Sequence, residues 1–252
     1  MNQHEKAAHF ATLHARGNPV ILFNAWDAGS AKAVAAAGAQ AIATSSWAVA
    51  EAQGYRDGES IPFALLSQIV ARITATTELP VTVDFEGGYS DNDETLAGHI
   101  SQLLEMGIVG INFEDRVVQG KGLVSLERQS QRIAVIRAAA DKRNVPLFIN
   151  ARSDVFFGEQ GEAGGTVAAA LQRAKSYAAA GASGLFLPGL KTESSIAEIC
   201  TAAPLPINIL MTDATPTSTT LAKLGVARIS YGASPYVQQL AALQTAARTV
   251  YA

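Results

Sequence analysis

Three acidic side chains stand at the ends of two apolar runs. Asp84 and Glu86 close PVTVDFE, and Glu114 closes IVGINFE. Side chains alternate along a strand, so Asp84 and Glu86 are predicted to share one face. Two like charges aimed into covered space are costly unless something positive joins them. A hard divalent cation would do so. With oxygen ligands and neither histidine nor thiolate in the set, Asp84, Glu86 and Glu114 favour Mg²⁺ or Mn²⁺ over zinc. Magnesium keeps several waters, so some of these acids would act through water. The competing expectation is that such acids cap helices or pair with arginines. Gly87-Gly88 follows at once, and is expected to let backbone approach a ligand closely and to permit positive φ.

Other polar residues end other apolar runs. Arg152 lies two positions after Asn150 and so shares its face, and its planar fork suits a carboxylate bidentately. A salt bridge from Arg152 to Glu114 or Asp154 is the alternative. Ser45, Ser46 and Trp47 offer two hydroxyls and consecutive backbone N–H groups that could receive an oxyanion. Asn208 sits in the run PINILM, and Asp115 follows Glu114. The four histidines form no ligand set. His4, His9 and His14 are five residues apart, a step that turns each about 140° around a helix from the last, and His99 stands alone in a helical stretch.

The elements that must position these residues repeat one pattern eight times: a short apolar run, a polar loop and an alanine-rich helix. The runs cover residues 19–23, 39–45, 80–85, 108–114, 146–151, 183–188, 206–211 and 227–232. Several helices end in glycine just before the next run, as in LEMGIVG and AAAGASG, the left-handed helix stop. Eight such units in 252 residues predict a single α/β domain over 1–252, a (β/α)₈ TIM barrel with a short N-terminal helix. No G-x-G-x-x-G follows the first run, which weakens a dinucleotide-binding sheet. The chemistry-bearing residues then fall at the C-terminal ends of separate strands, where this fold builds its sites. The long loops RVVQGKGLV (116–124) and SDVFFGEQGEAGG (153–165) lie on that side and are lid candidates. Tyr236, Leu240, Leu243 and Ala247 recur at helical spacing in the last segment. They fit either an eighth helix on its own sheet or an exchange with a neighbouring subunit.

Composition excludes other classes. A formal charge of −3, with 48% hydrophobic and 16% charged residues, gives no reason to expect nucleic acid or an anionic membrane. No apolar run approaches a membrane span, the N-terminal stretch lacks a signal core, and the single Cys200 fits a reducing cytoplasm.

The ordered set NAWDAGSAKAVAAAG, ATSSWAVAEAQGYRDGE, VTVDFEGGYS, GINFEDR, FINARSDVF, GASGLFLPGL and LGVARISYGAS resembles the isocitrate lyase/phosphoenolpyruvate mutase superfamily over nearly the whole chain. That resemblance implies a (β/α)₈ barrel, often with the eighth helix exchanged in a homodimer or homotetramer. It also implies Mg²⁺-dependent making or breaking of a C–C or P–C bond beside an α-keto or α-hydroxy carboxylate, usually through a pyruvate enolate. Carried over by position, Ser45, Ser46 and Trp47 bind carboxylate and oxyanion. Asp57 is an acid of the substrate pocket, Asp84, Glu86 and Glu114 bind metal, and Arg152 holds substrate.

The chain departs from the superfamily where members commonly show Ser-Gly and Asp-x-Asp, having Ser45-Ser46 and Asp84-Phe85-Glu86 instead. The loop after the fourth run has neither the Lys-Lys/Arg-Cys-Gly-His of the lyases nor the Asn-Ser pair of the mutases. Lys121 is the candidate proton donor or anion contact there, with a solvated surface lysine as the alternative. Without the cysteine acid, the expected reaction is decarboxylation or hydrolytic cleavage of an oxaloacetate-like acid, its enolate protonated by water. Alternatives are a methylisocitrate- or dimethylmalate-type lyase, a phosphonopyruvate-processing enzyme, a phosphate-binding biosynthetic barrel, and an α-keto-acid-binding protein without catalysis.

Overall fold

A computed structural model describes residues 1–157 and 165–251. Its centre is one sheet of eight parallel strands: β1 (Val20–Leu22), β2 (Ile42–Ala43), β3 (Val81–Asp84), β4 (Gly110–Glu114), β5 (Phe148–Arg152), β6 (Gly184–Phe186), β7 (Ile207–Leu210) and β8 (Arg228–Ser230). The hydrogen-bonded order β1-β8-β7-β6-β5-β4-β3-β2 brings first and last strands together. β1 and β2 form no ladder. Their seam is bridged at Ala25↔Thr44, where Ala25 N donates to Ala43 O (2.8 Å) and Ser45 N to Ala25 O (3.2 Å). The sheet is thus nearly closed into the expected TIM-like barrel.

Helices cover the outside: α2 (Ala28–Ala36), α3 (Ser46–Ala52), α4 (Phe63–Thr74), α5 (Asp93–Glu105), α6 (Leu126–Lys142), α7 (Val167–Ala179), α8 (Glu193–Ala202) and α9 (Ser218–Lys223). Their starts are written in polar caps. Asp27 and Ser30 form a reciprocal capping box, and Asn92, Ser125 and Thr166 each accept a first-turn N–H. The ends use the glycine stop read in the sequence, as at Gly107 (φ 87°). Small residues such as Ala170 and Ala174 are wholly buried and let α7 lie close to the sheet.

The N-terminal helix α1 (Gln3–Thr12) leads into the packing of one end of the barrel. There His14 stacks on Phe148 (3.8 Å) and Phe10 meets the same ring edge-on (5.5 Å). His14 Nδ1 lies 2.9 Å from Phe10 O, and burial first, then the Arg228 charge, lower its pKa to about 3. It is a neutral core histidine.

The last helix, α10 (Ser234–Tyr251), does not cover its own sheet. Only Pro235 and Tyr236 are buried, while Val237, Leu240, Leu243, Val250 and Tyr251 are exposed. The outer side of β1 is correspondingly open. Ile21 and Phe23 are each 42% exposed and line a groove of about 540 Å³ with Ala33, Val34 and Ala37 of α2 and its end. Packing of the eighth helix on its own sheet, one of the two expectations, is not what the structure shows.

Candidate active site

Strand register assembles the polar residues in rows. Asp84 pairs with Asn112, Asn112 with Asn150, and Glu114 with Arg152. Inside the barrel, Asn112 Oδ1 accepts from Asn150 Nδ2 (2.9 Å) and from Arg228 Nη2 (3.0 Å). Arg228 is 1% exposed, with Nε and Nη1 unpartnered. Burial pushes its pKa down to about 9 despite the opposing pull of Asp84.

Above this layer, at the C-terminal ends of the strands, lies a cavity of about 190 Å³. Its polar wall includes Asn24, Ser45, Ser46, Asp57, Asp84, Asn112, Arg152 and Ser230, and its apolar wall Trp47, Phe157, Phe186, Pro188 and Leu210. Among the described residues that line it there is no histidine, cysteine or lysine.

Asp84 is the cavity's distinctive group. Its Oδ2 accepts Ser46 N (3.0 Å), while Oδ1 is buried with no partner. The chain arranges this contact by passing from β2 through Thr44 to Ser45, the N-cap of α3, so that Ser46 N sits at the helix start beside β3. Asp57 lies near, on the irregular segment between α3 and α4, with Oδ1 accepting from Ser46 Oγ (3.2 Å). Its surface is more open than that of Asp84's neighbours, yet desolvation of the carboxyl and then the Asp84 charge raise its pKa.

Glu86 and Glu114 do not join Asp84 in that wall. The strand stops at Asp84 and Glu86 takes left-handed backbone (φ 49°), so the alternation that would place both acids on one face ends between them. Glu86 Oε2 instead accepts Gly58 N (2.9 Å) and Glu59 N (2.8 Å), and Oε1 accepts Tyr89 OH (2.9 Å). Burial, Asp57 and Asp84 together push its pKa up to about 7. Glu114 Oε2 is ion-paired to Arg152 Nη1 (2.8 Å). Burial raises its pKa, with Arg152 opposing and Asp154, Asp84 and Glu86 adding to the rise. Among the described residues no group of three His, Cys, Asp or Glu side chains is placed to hold one ion. Asp84, Glu86 and Glu114 therefore do not meet at one point, and Asp84 Oδ1 is the oxygen among them that is buried without a partner.

The alternative for Arg152 is realised twice over. Its Nε and Nη2 grip Asp154 (2.7 and 2.9 Å) while Nη1 holds Glu114. Desolvation disfavours the cation, but those two acids outweigh it and raise its pKa. Three of its five N–H donors are thus spent, and two Nη hydrogens remain for a substrate. Asp115 is structural, paired with Arg173 (2.9 Å) and accepting Tyr177 OH (2.8 Å).

Other expectations shift in detail. Ser45 N and Ser46 N are occupied by Ala25 O and Asp84, and the Ser46 hydroxyl by Asp57, which leaves Trp47 N–H and the Ser45 hydroxyl for an oxyanion. Asn208 is 1% exposed, accepts Ser230 Oγ (3.1 Å), and lies beneath the cavity rather than in its wall. Lys121 is exposed in the hairpin that pairs Arg116 with Leu123, and does not line the cavity. Of the Gly87-Gly88 pair, Gly88 takes the expected positive φ (91°), but the close approaches are to protein: a Cβ on Gly87 would come 2.7 Å from Val118, and one on Gly88 2.5 Å from Leu96. Of the second lid candidate, residues 158–164 lie outside the described residues. Cys200 is buried beside Arg16, its thiol pushed up to about 11, chiefly by burial.

Asn24, Asn112 and Ser230 were not singled out by sequence. Asn24 Oδ1 accepts Tyr231 N (3.0 Å) and Gly232 N (2.9 Å), tying β1 to β8 at the cavity wall. The NAW after β1 was the available signal.

A parallel barrel with acids, an arginine and a helix start gathered at its C-terminal rim defines a class of barrel whose sites handle small anionic substrates. The chain belongs to the phosphoenolpyruvate phosphomutase family, whose model matches residues 10–251, within the PEP mutase/isocitrate lyase superfamily. It is 35% identical over 241 residues to an uncharacterised protein of Mycobacterium tuberculosis, covering 96% of this chain and 88% of that one. It is 33% identical to 2-methylisocitrate lyase of Salmonella typhimurium, over 100% of this chain and 85% of the relative. A crystal structure from Burkholderia cenocepacia, provisionally called a phosphonomutase, superposes with TM-score 0.94 at 46% identity, covering 98% and 99% of the two chains. Phosphonopyruvate hydrolase crystallised with oxalate and Mg²⁺ shares the fold at TM-score 0.83 and 22% identity, over 98% and 87%. The superfamily comprises enzymes that act on small keto acids and related carboxylates, and members bind Mg²⁺ and small carboxylates such as oxalate.

Proposed function

We propose that this protein is a Mg²⁺-dependent enzyme that cleaves a carbon–carbon bond of a small oxaloacetate-like α-keto acid, by decarboxylation or hydrolysis, through an enolate. The observation that carries the reading is the unpartnered, buried Oδ1 of Asp84 in a wall of hard oxygen donors. The donors fit Mg²⁺, which takes one or two carboxylates and keeps its remaining waters. Asp84 is its direct ligand in this proposal, and Mn²⁺ fits the same oxygens. Bound there, the ion supplies Lewis-acid withdrawal of electrons from the keto and carboxylate oxygens.

The chain's own residues do the rest. The two free Nη hydrogens of Arg152 orient a substrate carboxylate. Trp47 N–H and the Ser45 hydroxyl face the oxygen on which charge develops, while the Ser46 hydroxyl holds Asp57. Phe157, Phe186, Pro188 and Leu210 keep the cavity apolar on the far side, which strengthens those contacts. In decarboxylation the bond to the leaving carboxylate breaks, its electron pair passes toward the keto oxygen, CO₂ departs and carbon is protonated from water. Asp57, with its raised pKa, is the wall carboxyl suited to hold and pass that proton. Lys121 has no part in this scheme.

The screen that tests the reading follows pyruvate release from oxaloacetate, methylisocitrate, dimethylmalate and phosphonopyruvate with Mg²⁺. Turnover of oxaloacetate, abolished by Asp84→Ala, is the expected result. Turnover of methylisocitrate alone would favour a lyase, as the full-length similarity to 2-methylisocitrate lyase suggests. Binding of keto acids without turnover would instead make the protein a sensor.

Assembly belongs to the same proposal. α10 and the open groove along β1 are complementary apolar faces, and we assign them to each other across two copies of the chain, in a homodimer or homotetramer. Cytoplasmic residence fits the lone cysteine, and among the described residues no helix is long and apolar enough to cross a membrane.

A further inference from the structure

The segment that carries Asp57 has no helix or strand of its own, since it joins α3 to α4. Something else must fix it. We infer that Glu86 is a positioning residue that locks the Asp57–Glu59 segment in place, and not a ligand of the ion; this deepens the functional reading above and rests on it for what the cavity holds.

The lock is reciprocal. Glu86 Oε2 receives the two amides that follow Asp57, those of Gly58 (2.9 Å) and Glu59 (2.8 Å). Glu59 Oε1 in return receives the amide of Tyr89 (2.7 Å), and Tyr89 OH closes the circuit on Glu86 Oε1 (2.9 Å). Four non-glycine residues have left-handed backbone among those described, and three of them, Glu59, Glu86 and Tyr89, belong to this circuit. Such conformations persist only where surroundings over-determine them, which marks the circuit as a built feature. Arg132, buried on α6, holds the same turn by donating to Gly87 O and to Ser90 O (3.1 Å). From the other side, Ser46 Oγ holds the Asp57 carboxylate (3.2 Å). Asp57 is thereby fixed before any ligand arrives.

Length and charge separate the two roles. An aspartate at position 86 keeps the charge but draws the carboxylate back by about 1.5 Å, one carbon–carbon bond, out of reach of both amides. A glutamine loses the charge but keeps an oxygen where both amides point. A lock tolerates glutamine and fails with aspartate. An ion ligand does the reverse.

The test uses the full chain, amide hydrogen exchange at Gly58 and Glu59, calorimetry with Mg²⁺ alone, and steady-state kinetics. Glu86→Gln is expected to keep amide protection and Mg²⁺ affinity within about threefold of wild type. Glu86→Asp is expected to speed exchange at both amides at least tenfold and to lower kcat more than it raises KM, because Asp57 handles the proton. Protection unchanged in Glu86→Asp overturns the inference, as does a tenfold loss of Mg²⁺ affinity in Glu86→Gln with protection intact. Should Glu86→Asp not fold, Glu59→Ala serves: faster exchange at Gly58 and Tyr89 supports the lock, and unchanged exchange refutes it. If wild type itself binds no Mg²⁺, the functional reading fails while the exchange data still decide the lock.

Discussion

Substitution of both Leu240 and Leu243 by aspartate should dissolve the assembly and leave the barrel intact. The two leucines are 42% and 60% exposed on α10, and facing needs are evident at Ile21 and Phe23, each 42% exposed along β1. Full burial of such a side chain stabilises by about 1.5–3 kcal/mol, so covering the half that is open gives about 1 kcal/mol apiece. Val237, Leu240, Leu243, Ile21 and Phe23 together give about 5 kcal/mol per helix seated in a groove, and a two-fold exchange seats two. Losing the two leucines removes about 2 kcal/mol per helix and about 4 per dimer, a weakening of about a thousandfold before the cost of desolvating the new carboxylates. Sedimentation velocity at micromolar concentration reads the outcome directly. Wild type should sediment as a dimer or larger and the variant as a monomer with an unchanged circular dichroism spectrum. A monomeric wild type at tens of micromolar, or a variant that keeps the wild-type assembly, would refute the pairing of α10 with the groove. Activity should fall with assembly, because Tyr236 at the root of α10 packs edge-on against Trp26 (5.1 Å) and Trp47 (6.0 Å), and Trp47 lines the cavity.

Three further outcomes follow from the site. Metal-free protein should lose stability as pH rises from 5 to 8, since Glu86 titrates near 4.5 when unfolded and about 7 when folded. The folded state therefore holds the proton more tightly, and its contribution of about 3 kcal/mol is complete below pH 4.5 and lost as pH climbs through 7. Thermal melts should show the slope and Glu86→Gln should reduce it, the remainder coming from the other buried carboxyls held above their ordinary range, Glu114 among them; a flat wild-type profile would contradict the shift. Arg152→Met leaves Glu114 and Asp154 buried without their cation and should cost about 3–5 kcal/mol in denaturant unfolding, with near-wild-type stability as the contrary result. Lys121→Ala should leave kcat/KM within about threefold; a hundredfold loss would show that the hairpin brings this lysine to the substrate.

Much of the barrel was legible because its signals are local. Several apolar runs ended in polar or charged residues, and several helices stopped at a glycine, as Gly107 does before β4. Asp84 and Arg152 were legible as site residues for the same reason: a polar side chain at the last position of a strand stands at the rim. Glu86 was misread because alternation holds only while backbone stays extended. The two glycines after it were the sign that the chain was already turning. Asn112 and Ser230 were missed because a lone polar residue within GINFE or RISYG looks like strand filler. Only closure of the sheet, which sets β4, β8 and β1 around one axis, turns them toward a common cavity. The exposure of α10 was equally hidden, since the same helical spacing of apolar residues serves its own sheet or another's.

The electrostatics of the site separate what folding requires from what it leaves open. Glu114 and Asp154 are answered by Arg152, Asp115 by Arg173, and Glu86 by two amides and a phenol. Each of those acids is accounted for by a contact that holds the barrel rim or its loops together. Asp84 is answered on one oxygen only, by Ser46 N. A buried carboxylate oxygen without a partner costs stability, and the surrounding chain had nearby donors with which to satisfy it, among them the two Nη hydrogens of Arg152 and the Trp47 amide. Donors and acceptor left unjoined around one small cavity are what a site needs if its missing partners arrive from solution: a cation for the oxygen and a carboxylate for the N–H groups.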